Sequence, residues 1–566
     1  LRRKAKFCLL TFALKSIPKK VMKKTIFACL AIISLFSLSV FAQSIAITNA
    51  RIVTVSGAEI AKGTVVIRDG LIESVGETAR VPADAKVFDG NGLSVYPGLI
   101  DTYTSLGFPT AAPRPTGPGG GQQGQAQTPA TSNSNYAAWL QPENAVVERL
   151  TGGDGQFESV RNNGFTTVLT VSRDGIFNGQ SAVINLAGDS VSAMVLRPAF
   201  AQHITFRTGQ GGYPTSLMGT FSAMRQMFLD AQRLNEWKKM YAANPRGIKR
   251  PDADKSLEAL IPLLNREMPT VFNANSEIEI IRALDFAKEF NLKPIVAGGN
   301  ESWKVTDRLK KADATVLLSL NFPKKTTANS PDADPEPLET LRLRVEIPKN
   351  AARLAQAGVK FAFQSGAMQN LSDFLVNANK AVENGLSKDN ALKAMTLGAA
   401  EVLGVADRLG SVEAGKIANL VVTRGDIFAK DKTITHVFVD GKLFEQRPPA
   451  ARPTTSTAVG SGPVPVPNVG GSWNITIEAP GQTIPATLTF QQQGTKLTGN
   501  MNATGVGTSE IKNGEVTADG FRFETTINVG GQSIDVSFSG KVTGNQVSGT
   551  ATTPQGAVPF SGTKNP

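Results

Sequence analysis

The sequence predicts a mixed α/β protein: a parallel α/β barrel or open sheet in the middle of the chain, small β-sheet pieces on both flanks, and an all-β domain at the C-terminal end. Three observations carry this. Short apolar runs alternate with amphipathic helical patterns over about 300 central residues. Strands of the same short texture occur at 45–70 and at 418–445. The last hundred residues alternate polar and apolar side chains around Gly and Asn turns. A chain of 566 residues is also too long for one hydrophobic core.

The N-terminal segment reads as an address. From Met22 a basic start (Lys23, Lys24) leads into an apolar run from Ile26 to Val40, with small-residue cleavage geometry at Val40-Phe41-Ala42. The run falls short of the roughly 18 residues a membrane span needs, so it predicts a secretory signal and an exported protein, periplasmic or secreted, with no membrane span after signal removal. Residues 1–21 precede this signal and are read as an extension without structural role, so 1–42 leave the fold. Both cysteines, Cys8 and Cys29, lie in that part, and the remaining chain is expected to have neither thiol nor disulfide. The formal charge of +12 has the same origin: residues 1–42 hold nine Lys/Arg and no acid, leaving 50 basic against 47 acidic residues. No nucleic-acid footprint survives that division.

The remaining elements follow in order. Residues 43–97 and 407–445 are expected to combine into one composite β domain around a central domain of 98–406. Within the latter, GFTTVLTV at 164–171, TVFNAN at 270–275, KPIVAGG at 293–299, TVLLSL at 315–320 and KFAFQSG at 360–366 read as short buried strands. A helix is expected behind Ser276 through residue 290, and another opening at Pro214. Residues 108–134 are too rich in Pro, Gly and Gln to pack; a lid and an unselected insertion both stay open. A Pro-rich linker, 446–469, precedes a domain at 470–566 that reads as an antiparallel barrel or sandwich of about eight strands. That domain has no His or Cys, so ligand or surface adhesion and a spacing role are its candidate uses.

Two motifs carry a resemblance. VYPGLIDTYTSLG at 95–107 and LGSVEAGKIANLVV at 409–422 resemble the opening and closing motifs of the amidohydrolase superfamily, closest to its imidazolonepropionase-like branch. The segments at 175–188 and 211–219 also resemble exported members. The resemblance covers about residues 45–445 and implies a TIM (β/α)8-like barrel with a composite β-sandwich domain. It further implies hydrolysis of non-peptide C–N bonds by one or two divalent ions, zinc or another, that acidify a bound water and polarise the carbonyl. Carried over position by position, the two first-strand histidines fall on Tyr103 and Ser105, the strand-five histidine on Asn273, the strand-six histidine on Gly298, and the last aspartate on Gly366. All five depart from the usual imidazole and carboxylate donors.

Only two histidines occur, His203 in the barrel region and His436 in the C-terminal flank, and each reads as an ordinary strand histidine. An all-oxygen site built on Asp101 is chemically allowed. Backbone hydrogen bonding by Asp101 at a strand end explains an acidic residue there without a metal. Asp101, Tyr103, Ser105, Asn273, Gly298 and Gly366 are the candidate pocket, with Arg173, Gln180 and His203 as outer members; no catalytic residue and no metal ligand is assigned, and no cofactor is predicted. Two functions stay open. One is a degenerate homologue that binds a small molecule or stabilises an active amidohydrolase partner. The other is a metal-dependent amidase, dipeptidase or cyclic amide hydrolase with atypical ligands.

Overall fold

The computed structural model describes residues 44–108, 136–152, 155–188, 190–209, 212–325, 336–366, 368, 370–445, 467–479, 482–504, 507–517, 520–529, 532–553 and 556–565. The expected signal in 1–42, nearly all of the 108–134 loop and most of the 446–469 linker lie outside these residues. The chain divides into two compact units, Leu1–Ala450 and Ala451–Pro566. Among the described residues no helix is long and apolar enough to cross a membrane.

In the first unit both flanks of the chain build one sheet. Leu420–Arg424 pairs antiparallel with Leu93–Pro97, which runs parallel to Ile45–Ile52; Ile60–Arg68 and Leu71–Gly76 extend one side, Thr433–Val439 and Lys442–Glu445 the other. Alternation puts Ile47, Ile67, Val95, Leu420 and Phe438 on one buried face. The sheet is tied to the barrel through Asn419. Its Nδ2 donates to Thr167 Oγ1 (3.1 Å) and Asn185 Oδ1 (2.9 Å), and its Oδ1 accepts from the Asp440 backbone N–H (2.8 Å). Asn419 is buried, so Asn419→Ala strands three polar partners and is expected to cost about 2–4 kcal/mol. A melting temperature equal to that of the parent protein would remove Asn419 from this role.

The barrel has eight staves. Leu99–Thr104 runs parallel to Phe165–Thr170, and Gln202–Thr205, Thr270–Ala274, Pro294–Gly298, Thr315–Ser319 and Phe361–Gln364 form a parallel run in that order. The ring closes where Thr102 Oγ1 donates to the Phe363 carbonyl (2.8 Å) and the Ser365 N–H donates to Asp101 Oδ1 (3.0 Å). One stave departs from a wholly parallel barrel. The segment Phe177–Gln180 followed by Ala182–Asn185 lies antiparallel to both neighbours, pairing first with Gln202–Thr205 and then with Phe165–Thr170. At the break, Ser181 exchanges backbone bonds with Phe200 and Ala201. Gly179, at φ +92°, is required because a Cβ there would collide with the Asn144 carbonyl.

Ala297, Leu317 and Ala362 share one register level and fill the barrel interior together with Val271, while Phe272 and Ile204 pack outward against the long helix Leu217–Ala243 and its neighbour Glu277–Glu289. The second of these helices carries a capping box of Ser276 and Glu279. The first begins after Ser216, whose side chain accepts from the Gly219 N–H, and not at Pro214: an N-cap hydroxyl satisfies an orphan amide that proline cannot. In the second unit eight antiparallel strands close into a ring, Gln482–Gln493 meeting Lys496–Ala503, with Gly507–Glu510 attached outside it. It is a barrel, not a sandwich. Its interior is filled by Trp473 and a row of phenylalanines including Phe490, Phe521, Phe523 and Phe538.

Candidate functional site

The parallel staves place their C-terminal ends at one mouth, where loops leave a barrel and ligands bind. Tyr103 closes the first stave, Asn273 stands near the end of Thr270–Ala274, Gly298 ends Pro294–Gly298, and Gly366 follows Phe361–Gln364. Ser105 is exposed just past the first stave. The residues in mutual contact are fewer. The half-buried Tyr103 ring stacks on His203 at 5.6 Å between centroids, and Asn273 lies beside its hydroxyl. The exposed Arg173 guanidinium lies over the outer side of the ring, 5.6 Å from its centroid.

Below Tyr103, His203 is fully buried, sharing the inward face of its stave with the level of Val271. Its Nε2 meets Ser181 Oγ at 2.9 Å, and Ser181 Oγ donates to the Ala201 carbonyl (3.2 Å). A hydroxyl has one hydrogen, so the network assigns the imidazole proton to Nε2; the buried Nδ1 has no partner. Burial lowers the imidazole pKa to about 3, which keeps His203 neutral and makes it too weak a base for proton transfer near neutral pH.

Asn273 is held by a second layer. Its Nδ2 donates to Thr205 Oγ1 (2.6 Å) and lies 3.3 Å from Asn178 Oδ1, which also accepts from Thr205 Oγ1 (2.7 Å). Asn178 in turn donates to the Asp174 carbonyl (3.0 Å). Asn178 and Thr205 escaped the sequence reading, which predicted no strand at either position; the one available signal was that Asn178 lies in the 175–188 segment singled out by resemblance. Asp101 is buried, and its Oδ1 accepts from the backbone N–H groups of Tyr103 (3.2 Å) and Ser365 (3.0 Å). Burial pushes its carboxyl above the ordinary carboxylate range, against hydrogen bonds from Ser365 and Tyr103 and the charge of Arg173. Burial likewise raises the Tyr103 phenol, opposed by Arg173 and Asn273.

Gln180 does not reach this mouth. It stands level with Gln202 and Thr270, at the N-terminal end of the parallel staves, because its own stave runs the other way and brings Asn178 to the mouth instead. Gly298 and Gly366 have positive φ, +100° and +62°, and a Cβ on them would collide with Asn275 Oδ1 and Ser319 Oγ respectively. His436 belongs to the flank sheet, edge-on to Phe88, with its ring centroid 5.7 Å away.

A catalytic divalent ion needs about three imidazole or carboxylate donors around an open position. The mouth supplies a protonated phenol, an amide already bonded, two glycines, one neutral imidazole under an aromatic ring, and a carboxylate turned to backbone amides. Among the described residues no three His, Cys, Asp or Glu side chains come together in a metal-holding group. The residues present do not fit such an ion.

Comparison with known proteins places this geometry. Residues 272–444 match the model of the amidohydrolase family. No curated protein sequence matches the chain. Among solved structures, an amidohydrolase from Thermotoga maritima MSB8 superposes with a TM-score of 0.57 at 24% identity, covering 71% of this chain and 100% of its own. A prolidase complexed with N-methylphosphonate-L-proline gives 0.43 at 15% identity, covering 72% and 100%. A Xaa-Pro dipeptidase with methionine in its active site gives 0.43 at 17% identity, covering 71% and 100%. Residues 272–444 are therefore an amidohydrolase family domain, carried in a chain whose first unit has the amidohydrolase-type fold.

Proposed function

We propose that the protein is a non-hydrolytic member of this fold that uses the barrel mouth to hold a small polar molecule. One observation carries the reading: where the family resemblance implies metal ligands, Tyr103 stacks on a neutral, buried His203, and Asn273 is bonded to Thr205. Generating hydroxide near neutral pH needs a metal-bound water or a competent base, and these side chains supply neither. What they do supply is a polar floor (Tyr103, Asn273, Thr205, Asn178) under an exposed cation, Arg173, suited to orienting a ligand. The leader pattern at 22–42 supports action outside the cytoplasm.

Elemental analysis tests this on protein purified without chelator or histidine tag and then offered Zn2+, Mn2+ and Fe2+. Less than about a tenth of an equivalent is expected to survive dialysis. Near-stoichiometric metal would overturn the reading in favour of a metal-dependent hydrolase. In parallel, a thermal-shift screen of small polar molecules is expected to yield ligands whose stabilisation disappears in Tyr103→Ala; a copurifying active homologue with no such ligand would instead favour partner stabilisation.

A further inference from the structure

Two loops of the barrel mouth bring arginines together. Arg173 follows the stave Phe165–Thr170 and Arg207 follows Gln202–Thr205, so both stand past the C-terminal ends of parallel staves. Arg207 Nη1 donates to the Arg173 backbone carbonyl (3.0 Å), which ties the loops and sets the second guanidinium within about one side-chain length of the first. The Arg173 guanidinium lies over the Tyr103 ring. Among the described residues neither guanidinium is paired with a carboxylate.

The charge of these loops is unbalanced. Residues 171–176 and 206–216 together hold Arg173, Arg207 and one acid, Asp174, and no lysine. A net positive charge therefore stands over a floor of uncharged side chains, Tyr103, Asn273 and Thr205. Beneath them Asp101 is turned to the backbone amides of Tyr103 and Ser365, and its burial disfavours further negative charge in that place.

The loops are also fixed in advance, because Trp139 stands between them. Its carbonyl accepts from the Ile176 N–H (2.9 Å), and its indole N–H donates to the Tyr213 carbonyl (3.0 Å). A Cβ on Gly209 would lie 2.8 Å from the Trp139 ring, so glycine is what lets that loop approach it. On the far side, Thr220 Oγ1 of the long helix donates to the Arg207 carbonyl (2.9 Å). Backbones held this way leave little to order when a ligand arrives.

Resting on the ligand-holding reading of the mouth, we infer that Arg173 and Arg207 form a carboxylate clamp, which selects small monocarboxylates whose uncharged polar end meets Tyr103 and Asn273. A carboxylate supplies the missing counter-charge, and its two oxygens match the planar fork of a guanidinium. Its single charge balances the two arginines against Asp174. A phosphate dianion brings a second negative charge toward Asp174 and Asp101, and a neutral amide of the same shape leaves the clamp unpaired.

The test is calorimetric titration of the intact chain with N-acetylglycine and L-lactate, beside N-acetylglycinamide, L-lactamide and inorganic phosphate. The carboxylates are expected to bind about tenfold more tightly than their amides and than phosphate. Arg173→Gln and Arg207→Gln are each expected to weaken carboxylate binding about tenfold and to leave amide binding unchanged. Should Arg207→Gln loosen its loop and lower the melting temperature, Arg173→Gln decides, since that side chain is exposed. Equal binding of acid and amide, tighter binding of phosphate, no binding of either acid, or carboxylate binding untouched by the substitutions would overturn the clamp. Amide binding that Tyr103→Ala abolishes and Arg173→Gln does not would leave the ligand-holding mouth standing and the clamp overturned. Failure of the ligand-holding reading registers separately, as near-stoichiometric metal in the elemental analysis.

Discussion

Between pH 6.5 and about 3 the barrel unit is expected to lose roughly 3–6 kcal/mol of stability through His203. The unfolded imidazole titrates near its ordinary 6.5, whereas the buried one resists protonation until about 3. Throughout that window the unfolded chain binds the extra proton, so acid favours unfolding. The contribution is fully present above 6.5 and is lost as the pH falls. Asp101, whose carboxyl is raised, acts with the opposite sign, but equally in parent and variant. The C-terminal unit contains no histidine and cancels from the comparison. Melting temperatures from pH 7.5 down to 4 should therefore fall more steeply for the parent protein than for His203→Leu. Parallel profiles would show that His203 is protonated or hydrated in the folded state, and the neutral floor of the proposed site would be wrong.

Restoring family-type ligands at the two glycine positions is expected to destabilise the protein and not to reactivate it. Gly366→Asp and Gly298→His each place a Cβ on a backbone with positive φ, against Ser319 Oγ and Asn275 Oδ1. The left-handed conformation alone costs about 1–2 kcal/mol, and displacing a packed neighbour adds a similar amount, for roughly 2–4 kcal/mol per site. Alanine should bear most of the same penalty, because the strain lies in the backbone and not in the ligand group. The measurement is the melting temperature of Gly366→Ala and Gly366→Asp beside the parent. An unchanged value for alanine would mean that the mouth accommodates a Cβ, and the ligand set could then be rebuilt one residue at a time. At Tyr103 the obstacle differs, since histidine there would give up the phenol ring that stacks on His203 beneath the Arg173 guanidinium.

Much of the fold was legible in the chain because local patterns report burial. The apolar runs near 164–171, 270–275, 293–299, 315–320 and 360–366 became the staves Phe165–Thr170, Thr270–Ala274, Pro294–Gly298, Thr315–Ser319 and Phe361–Gln364. Ser276 announced its helix as a cap for the amides that a helix start leaves unpaired. The final domain's alternation and Gly turns marked it as all-β.

By itself the sequence determined five of the barrel strands and the helix behind Ser276, that both flanks carry matching sheet pieces, and that five positions of the family ligand pattern hold other residues. Only the tertiary structure decided that the stave at 177–185 runs antiparallel, that Gln180 faces away from the mouth while Asn178 reaches it, and that Tyr103 rests on His203 a hundred positions along the chain. The physical reason is the same in each case. Period and propensity reflect how a residue meets solvent or core within a few positions, and parallel and antiparallel strands share that period. Partner, direction and protonation state depend on groups distant in sequence, and they are settled when the barrel closes.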